Sequence, residues 1–443
     1  MVFLTQVTSI PVFTAPRLFV ILLTLGMASF YAPYALPQEA SAGLSADVLI
    51  QDILQLNPSL ATQRLEALAS DEEIVYAGAL DDPRVSYSVA PATIGQNIPS
   101  ALGNALGVRQ VIQLSQNIPW AGKRQLRTEL AQAQSAAAHF STDDLQLQLI
   151  AAGRLHWASW WDVHQALTIN REQQRLLTEL ENVIETQYAS GAGLQQDLLQ
   201  VQTAQIRADH RGIVLEQQLE RIRARINALR NRPAIAEIAT AQGEPRPPAL
   251  PSEEILRNWL EQAHPALQSA RADVDAARAD RALTYKNDYP DVQVNVGYNE
   301  LWNASDLRLQ VGVSVNIPLD FGKRSSRKAA SDYRYNSAQS DINYLRNQLL
   351  SELAQQLSWA REAHHAIELA RDQLIPKATQ TLAASQSDYQ QGIADFSNVI
   401  QAEQALLEAR LLLSNSLASQ YQAHAEIDRL VGGQLWPLDP ASL

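Results

Sequence analysis

The sequence predicts a mainly α protein with a β-barrel portion, built from a strand–strand–long helix–long helix unit that occurs twice. Three observations carry that prediction. The corner Asn117-Ile118-Pro119-Trp120-Ala121-Gly122-Lys123-Arg124 returns as Asn316-Ile317-Pro318-Leu319-Asp320-Phe321-Gly322-Lys323-Arg324. Prolines elsewhere keep one step, with Pro58 and Pro265 lying 207 residues apart, as do Pro83 and Pro290. Alternating apolar and polar residues precede each corner, and a long Ala/Gln/Leu-rich run follows it. Repetition in step marks a duplicated unit rather than a shared composition.

A chain of 443 residues can bury a sizeable core. Its net charge of −12, with no basic stripe to offset it, argues against a nucleic-acid partner. Cysteine is absent, which excludes disulfides, thiolate metal sites and an N-terminal lipidated Cys. Arg17 precedes an apolar run from Leu18 to about Tyr34, and Ala40-Ser41-Ala42 has the form of a signal-peptidase site. Residues 1–42 therefore read as a signal peptide; an N-terminal membrane anchor is the other reading.

Residues 43–240 form the first repeat, 241–251 the linker, 252–433 the second repeat and 434–443 a C-terminal tail. Each repeat opens on a helical pattern broken before proline, at Asn57-Pro58 and His264-Pro265, where proline suits the first helical turn. Strands are expected over about 83–90, 107–119, 290–299 and 306–318. Period two is clearest from Leu307 to Ile317, about eleven residues, enough for a tilted strand to cross a bilayer. Gln110 and Gln116 interrupt it in the first repeat. A half-buried hairpin of a soluble domain gives the same local pattern.

Four strands cannot close a membrane barrel, and an open edge cannot sit in lipid with its backbone groups unpaired. If the strands span a membrane, several chains must pool them, and three give twelve, an even count. A cyclic homotrimer is then the economical arrangement. Pro119, Trp120, Lys123 and Arg124, with Pro318, Phe321, Lys323 and Arg324, would lie at the membrane interface, cations beside lipid phosphates.

From Lys123 and Lys323 each helical pattern runs about 68 residues, roughly 100 Å if continuous. Gly153 and Pro376 are candidate kinks. Trp157, Trp160, Trp161 and Trp359 read as packing knobs rather than a stacking site. The runs end in matched tips, about 188–194 and 389–395, where Tyr188-Ala189-Ser190-Gly191-Ala192-Gly193 parallels Tyr389-Gln390-Gln391-Gly392-Ile393-Ala394. Glycine there supplies the left-handed backbone that closes a helical hairpin.

No chemistry assembles from the motifs. The eight histidines offer no ligand set, and the chain has no phosphate-cradling glycine loop, nucleophile elbow or H-E-x-x-H. Asp143 and Asp144 read as the acidic opening of a helix. Neither a catalytic residue nor a cofactor nor a metal site is implied, and the expectation is a protein that is not an enzyme.

Taken together, the paired N-I-P…G-K-R corners, the N-P/H-P breaks and the doubled tips resemble the TolC-like outer-membrane efflux channels, from about Ala46 to Gly433. The resemblance implies a trimer, with a twelve-stranded outer-membrane barrel joined to a periplasmic α-helical tunnel. It also implies two partners, a periplasmic adaptor (membrane fusion) protein and an inner-membrane pump, the RND type favoured. Gly191, Ala192, Gly392 and Ile393 would then face the adaptor. Tyr389 and Asp197 match positions that hold the entrance shut in some relatives; a solvated helix residue is the other reading of Asp197. Asn398 and Gln401 stand where some relatives carry acidic residues lining the entrance. The P-W-x-G-K-R wording leans towards the CusC/CzcC-like heavy-metal branch. Other readings are a type I protein-secretion or drug-efflux duct and, from a different class, a periplasmic coiled-coil scaffold without a pore.

Overall fold

The computed structural model describes residues 43–90, 109–191, 193–299, 308–319 and 322–436. The first half runs α1 (Ala46–Leu56), α2 (Pro58–Gly78), β1 (Arg84–Ala90), β2 (Arg109–Ile118), α3 (Lys123–Ala189) and α4 (Gln195–Leu229). In the second half come α5 (Glu253–Ala263), α6 (Pro265–Lys286), β3 (Val292–Asn299), β4 (Leu309–Val315), α7 (Lys323–Leu369), α8 (Ile375–Gln390) and α9 (Phe396–Leu430). The expected signal peptide, residues 1–42, lies outside the described residues.

Both proline breaks are capped from the residue before the proline. Asn57 Oδ1 accepts the N–H of Ser59 at 3.0 Å, and its amide donates to the Leu229 carbonyl at 2.9 Å. His264 does the capping in the second half, Nδ1 accepting the Ala266 N–H at 3.1 Å. Both long helices also start alike, on a left-handed glycine, Gly122 at φ 84° and Gly322 at φ 89°.

The two long helices differ at one place. Lys123 and Lys323 are 200 residues apart, whereas Tyr188 and Tyr389 are 201 apart. The extra residue sits in a π turn, Ala370–Leu374, between α7 and α8. Pro376 follows directly; it has no N–H for the carbonyl of Asp372, four residues back, and the wider turn accommodates that mismatch. Gly153 does not interrupt α3. A Cβ there would stand 3.0 Å from Ile53 Cδ1, so the glycine lets α1 pack closely.

That packing forms the main core. Leu49, Ile50 and Ile53 of α1 meet Trp157, Trp160 and Trp161 of α3. The indoles also hold the chain that crosses above them, Trp157 donating to the Leu44 carbonyl at 2.8 Å and Trp160 to that of Ala239 at 3.0 Å. Trp359 breaks the expectation of a fourth knob, since it is exposed. Asp143 and Asp144 likewise lie inside α3 rather than at a helix start, because the helix begins at Lys123.

The strands form one antiparallel sheet in the order β1–β2–β3–β4. Its register sorts the side chains by polarity. Val85, Leu114, Val296 and Val311 face one another across the sheet, and so do Tyr87, Ile112, Tyr298 and Leu309. All eight are exposed, as are Val313 and Val315. On the other face, Ser86, Gln113, Gly297 and Gln310 form the matching row. Gln116 interrupts the apolar face, and its amide is taken up by the Asp81 carbonyl at 2.7 Å.

Candidate functional site

The hairpin tips bring Tyr389 and Asp197 together. Gly191 at φ 79° and Gly392 at φ 70° turn the chain, their N–H groups bonding back to the Tyr188 and Tyr389 carbonyls, both at 3.0 Å. The Tyr389 hydroxyl lies 3.1 Å from Asp197 Oδ2 and 3.2 Å from Gln187 Oε1. One proton cannot serve both acceptors, and the carboxylate is the stronger. Burial, reinforced by that carboxylate, pushes the Tyr389 hydroxyl up to about 12, so it stays a donor throughout the physiological range. Asp197 is buried, not a solvated helix residue. Phe396 packs on the Tyr389 ring at 5.2 Å, within a cluster of Leu177, Ile184, Val201 and Val399.

Further ties join the two hairpins above this contact. Gln173 of α3 donates to Glu403 of α9 at 3.2 Å and accepts from Arg211 of α4 at 3.0 Å. Burial raises the Glu403 carboxyl, while the Gln173 bond and the Arg211 charge pull it down. Arg410 reaches Glu172 at 2.9 Å. Sequence spacing gave no sign of these ties, since each joins residues far apart in the chain.

Asn398 and Gln401 are both exposed, and Gln401 lines a groove of about 650 Å³ with Gln200 and Arg207 of α4. Gly392 and Ile393 lie exposed at the second tip, and Gly191 at the first. Ala192 is outside the described residues, as is Phe321 of the second corner.

At the first corner one side chain departs from expectation. Lys123 does not reach outward to lipid phosphate. It is 2 % exposed, and its ammonium bonds to Asp291 Oδ1 at 2.8 Å and the Tyr289 carbonyl at 2.9 Å. The Trp120 N–H shares that carboxylate at 2.8 Å, and the indole stacks on Tyr289 at 5.4 Å. Asp291 thus brings a negative charge to a helix start that two cations would otherwise disfavour. Arg124 is exposed and donates to the Gly78 carbonyl at 2.8 Å. Arg324 bonds to the Asn287 carbonyl and Asp288, at 3.2 and 3.1 Å, while Lys323 is exposed. Pro119 is buried and Pro318 half-buried. A sequence signal for the Lys123 tie exists: the position matching Asp291 in the first repeat is Arg84, a reversal of charge between the halves.

Among the described residues no group of three or more His, Cys, Asp or Glu side chains could hold a metal ion, and no helix is long and apolar enough to cross a membrane.

Comparison with known proteins follows the same lines. The family model "Outer membrane efflux protein" matches residues 256–433, the second of the two repeats. The cobalt-zinc-cadmium resistance protein CzcC of Cupriavidus metallidurans is 27 % identical over 209 residues, covering 45 % of this chain and 47 % of that protein. The alignment thus spans about half of that relative's length. Nodulation protein T of Rhizobium leguminosarum bv. viciae is 21 % identical over 432 residues, 91 % of this chain and 83 % of that one. The crystal structure of CusC, described in connection with transmembrane channel formation, superposes with a TM-score of 0.77 at 15 % identity, covering 90 % of this chain and 96 % of CusC. The family model thus covers the second repeat, and the fold over both repeats is the one seen in CusC.

Proposed function

We propose that the chain is the outer-membrane channel of a tripartite efflux system, a passive duct of a Gram-negative cell. Three copies pool their sheets into a twelve-stranded barrel, and their long helices form a tunnel through the periplasm. The tips meet a periplasmic adaptor protein, which links the duct to an inner-membrane pump, the RND type favoured. Metal cations or small toxic compounds are the cargo; the likeness to the cobalt-zinc-cadmium resistance protein CzcC supports the first. Residues 1–42 serve as the export signal.

The observation that carries this reading is the sheet. One face is apolar and exposed across all four strands, and among the described residues β1 and β4 have no strand beyond them. In water such a face invites aggregation. In lipid the face is solvated, but each bare edge group costs several kcal/mol, so the edges must be paired by other copies. The polar face then lines the lumen.

The test is conductance in planar bilayers, using full-length protein extracted from outer membranes as a heat-labile trimer. Tyr389→Phe and Asp197→Ala are expected to raise conductance, because the contact joins the two hairpins where the tunnel would narrow. Unchanged conductance removes the latch role from this pair. A monomer that salt releases from membranes removes the channel itself.

A further inference from the structure

We propose that a groove between α3, α7 and α9 binds an amphiphilic organic cation. One chain supplies every lining residue, so the site does not depend on how copies assemble.

The groove measures about 970 Å³, the size of a small-molecule site. Its floor is α9, where Ser416, Ser419 and Ala423 share one face at spacings of three and four. These side chains are short, as are Ala152 of α3 and Ala363 and Ala366 of α7 on the walls, and that leaves the space open. Gln422 pins the floor to a wall, donating to Ser159 Oγ at 3.0 Å and to the Leu155 carbonyl at 3.4 Å. The groove is thus set by helix packing and not by a loop.

Charge decides the sign of the occupant. Three carboxylates line the groove, those of Glu352, Glu362 and Glu426, against one guanidinium, that of Arg429. Arg429 is already engaged, bonding to Glu352 at 2.6 Å and to Glu426 at 2.7 Å. Glu362 is exposed and makes no ion pair among the described residues. His156 adds no positive charge at neutral pH, because burial and the Arg225 charge hold its imidazole below the ordinary range. The lining is therefore negative.

An indole decides the rest. Trp359 is 55 % exposed, whereas Trp157, Trp160 and Trp161 are buried. It precedes Glu362 by three residues on the same face of α7, so a cation over the ring has the carboxylate beside it. Leu155 and Leu412 offer apolar surface to the body that carries the charge. A metal ion fits less well, since among the described residues no three ligand side chains converge to hold one.

The probe is rhodamine 6G, a xanthene cation, followed by fluorescence anisotropy with full-length protein in a non-ionic detergent. Fluorescein, an anion on the same ring frame, is the control for sign. Rhodamine 6G should bind saturably at one dye per chain, and fluorescein should not. Trp359→Ala and Glu362→Gln should each weaken the dye by at least about threefold, while Trp359→Phe keeps most of the affinity because a ring remains. Added salt should weaken the parent more than Glu362→Gln. His365→Ala, exposed on α7 outside the groove, should change nothing. Thermal melts that match the parent's verify that the variants fold. Uptake equal to that of protein-free micelles, or equal for the two dyes, overturns the site. So does saturable binding that neither Trp359→Ala nor Glu362→Gln weakens, which would put the dye elsewhere. Neither result bears on bilayer conductance, which tests the channel reading separately.

Discussion

His264 and Asn57 do the same job with different chemistry. Each caps a helix whose first residue is proline, but the amide does not titrate and the imidazole does. Burial pushes His264 down to about 4; Asp144 pulls against that and Arg429 adds to it. In the unfolded chain the ring titrates near 6.5. The folded state therefore resists the proton, and protonation at Nδ1 would also break the cap bond to Ala266. Stability from this site is complete above pH 6.5 and is lost as the pH falls towards 4, by up to roughly 3 kcal/mol. His264→Asn should keep the cap and flatten the melting temperature of the detergent-solubilised chain between those limits. A slope as steep as the parent's would assign the effect to other groups. The paired H-P and N-P breaks were legible in the sequence as helix starts. The titration was not, because it comes from burial by residues remote in the chain.

At the scale of elements, the second tip turn depends on Gly392 for backbone reasons alone. Gly392 is left-handed, and a Cβ there would meet nothing within 4 Å. Gly392→Ala should thus cost about 1 kcal/mol through conformation only, and Gly392→Asn less, since asparagine tolerates that region better. Limited proteolysis at the tip measures the difference; equal cutting of the two variants would point to a steric cause. Tip, corner and long helix were all readable from matched spacing. The Lys123 side chain of the first corner was misread, because the rule that puts cations beside phosphates ignores a carboxylate 168 residues away in sequence, Asp291. Trp359 was misread for a related reason: its counterparts in α3 are covered by α1, and Trp359 is not.

For the whole molecule, the sheet's two faces make opposite predictions from adjacent residues. Val313 is on the apolar face and Ser314 on the polar one. In the proposed barrel, Val313→Arg sets a charge in lipid at a cost of about 2–4 kcal/mol near the midplane. It should deplete the heat-labile trimer in outer-membrane extracts, whereas Ser314→Arg, facing the lumen, should leave its yield unchanged. Equal loss from both would argue that the sheet packs against protein on its apolar side. Alternation in the sequence located this face strand by strand. It could not supply the register between β2 and β3, which joins the rows across the halves.

The π turn at Ala370–Leu374 has a consequence for how such a long rod tolerates change in its length. One added residue in an α-helix swings everything after it by about 100°, which would turn the Tyr389 side of α8 away from Asp197. Confining the surplus to five residues leaves the lower end aimed as before. The helix behaves like a shaft with an expansion joint: its two ends keep their bearings while its count drifts. Insertions and deletions between duplicated halves should be absorbed at this joint rather than at the tips.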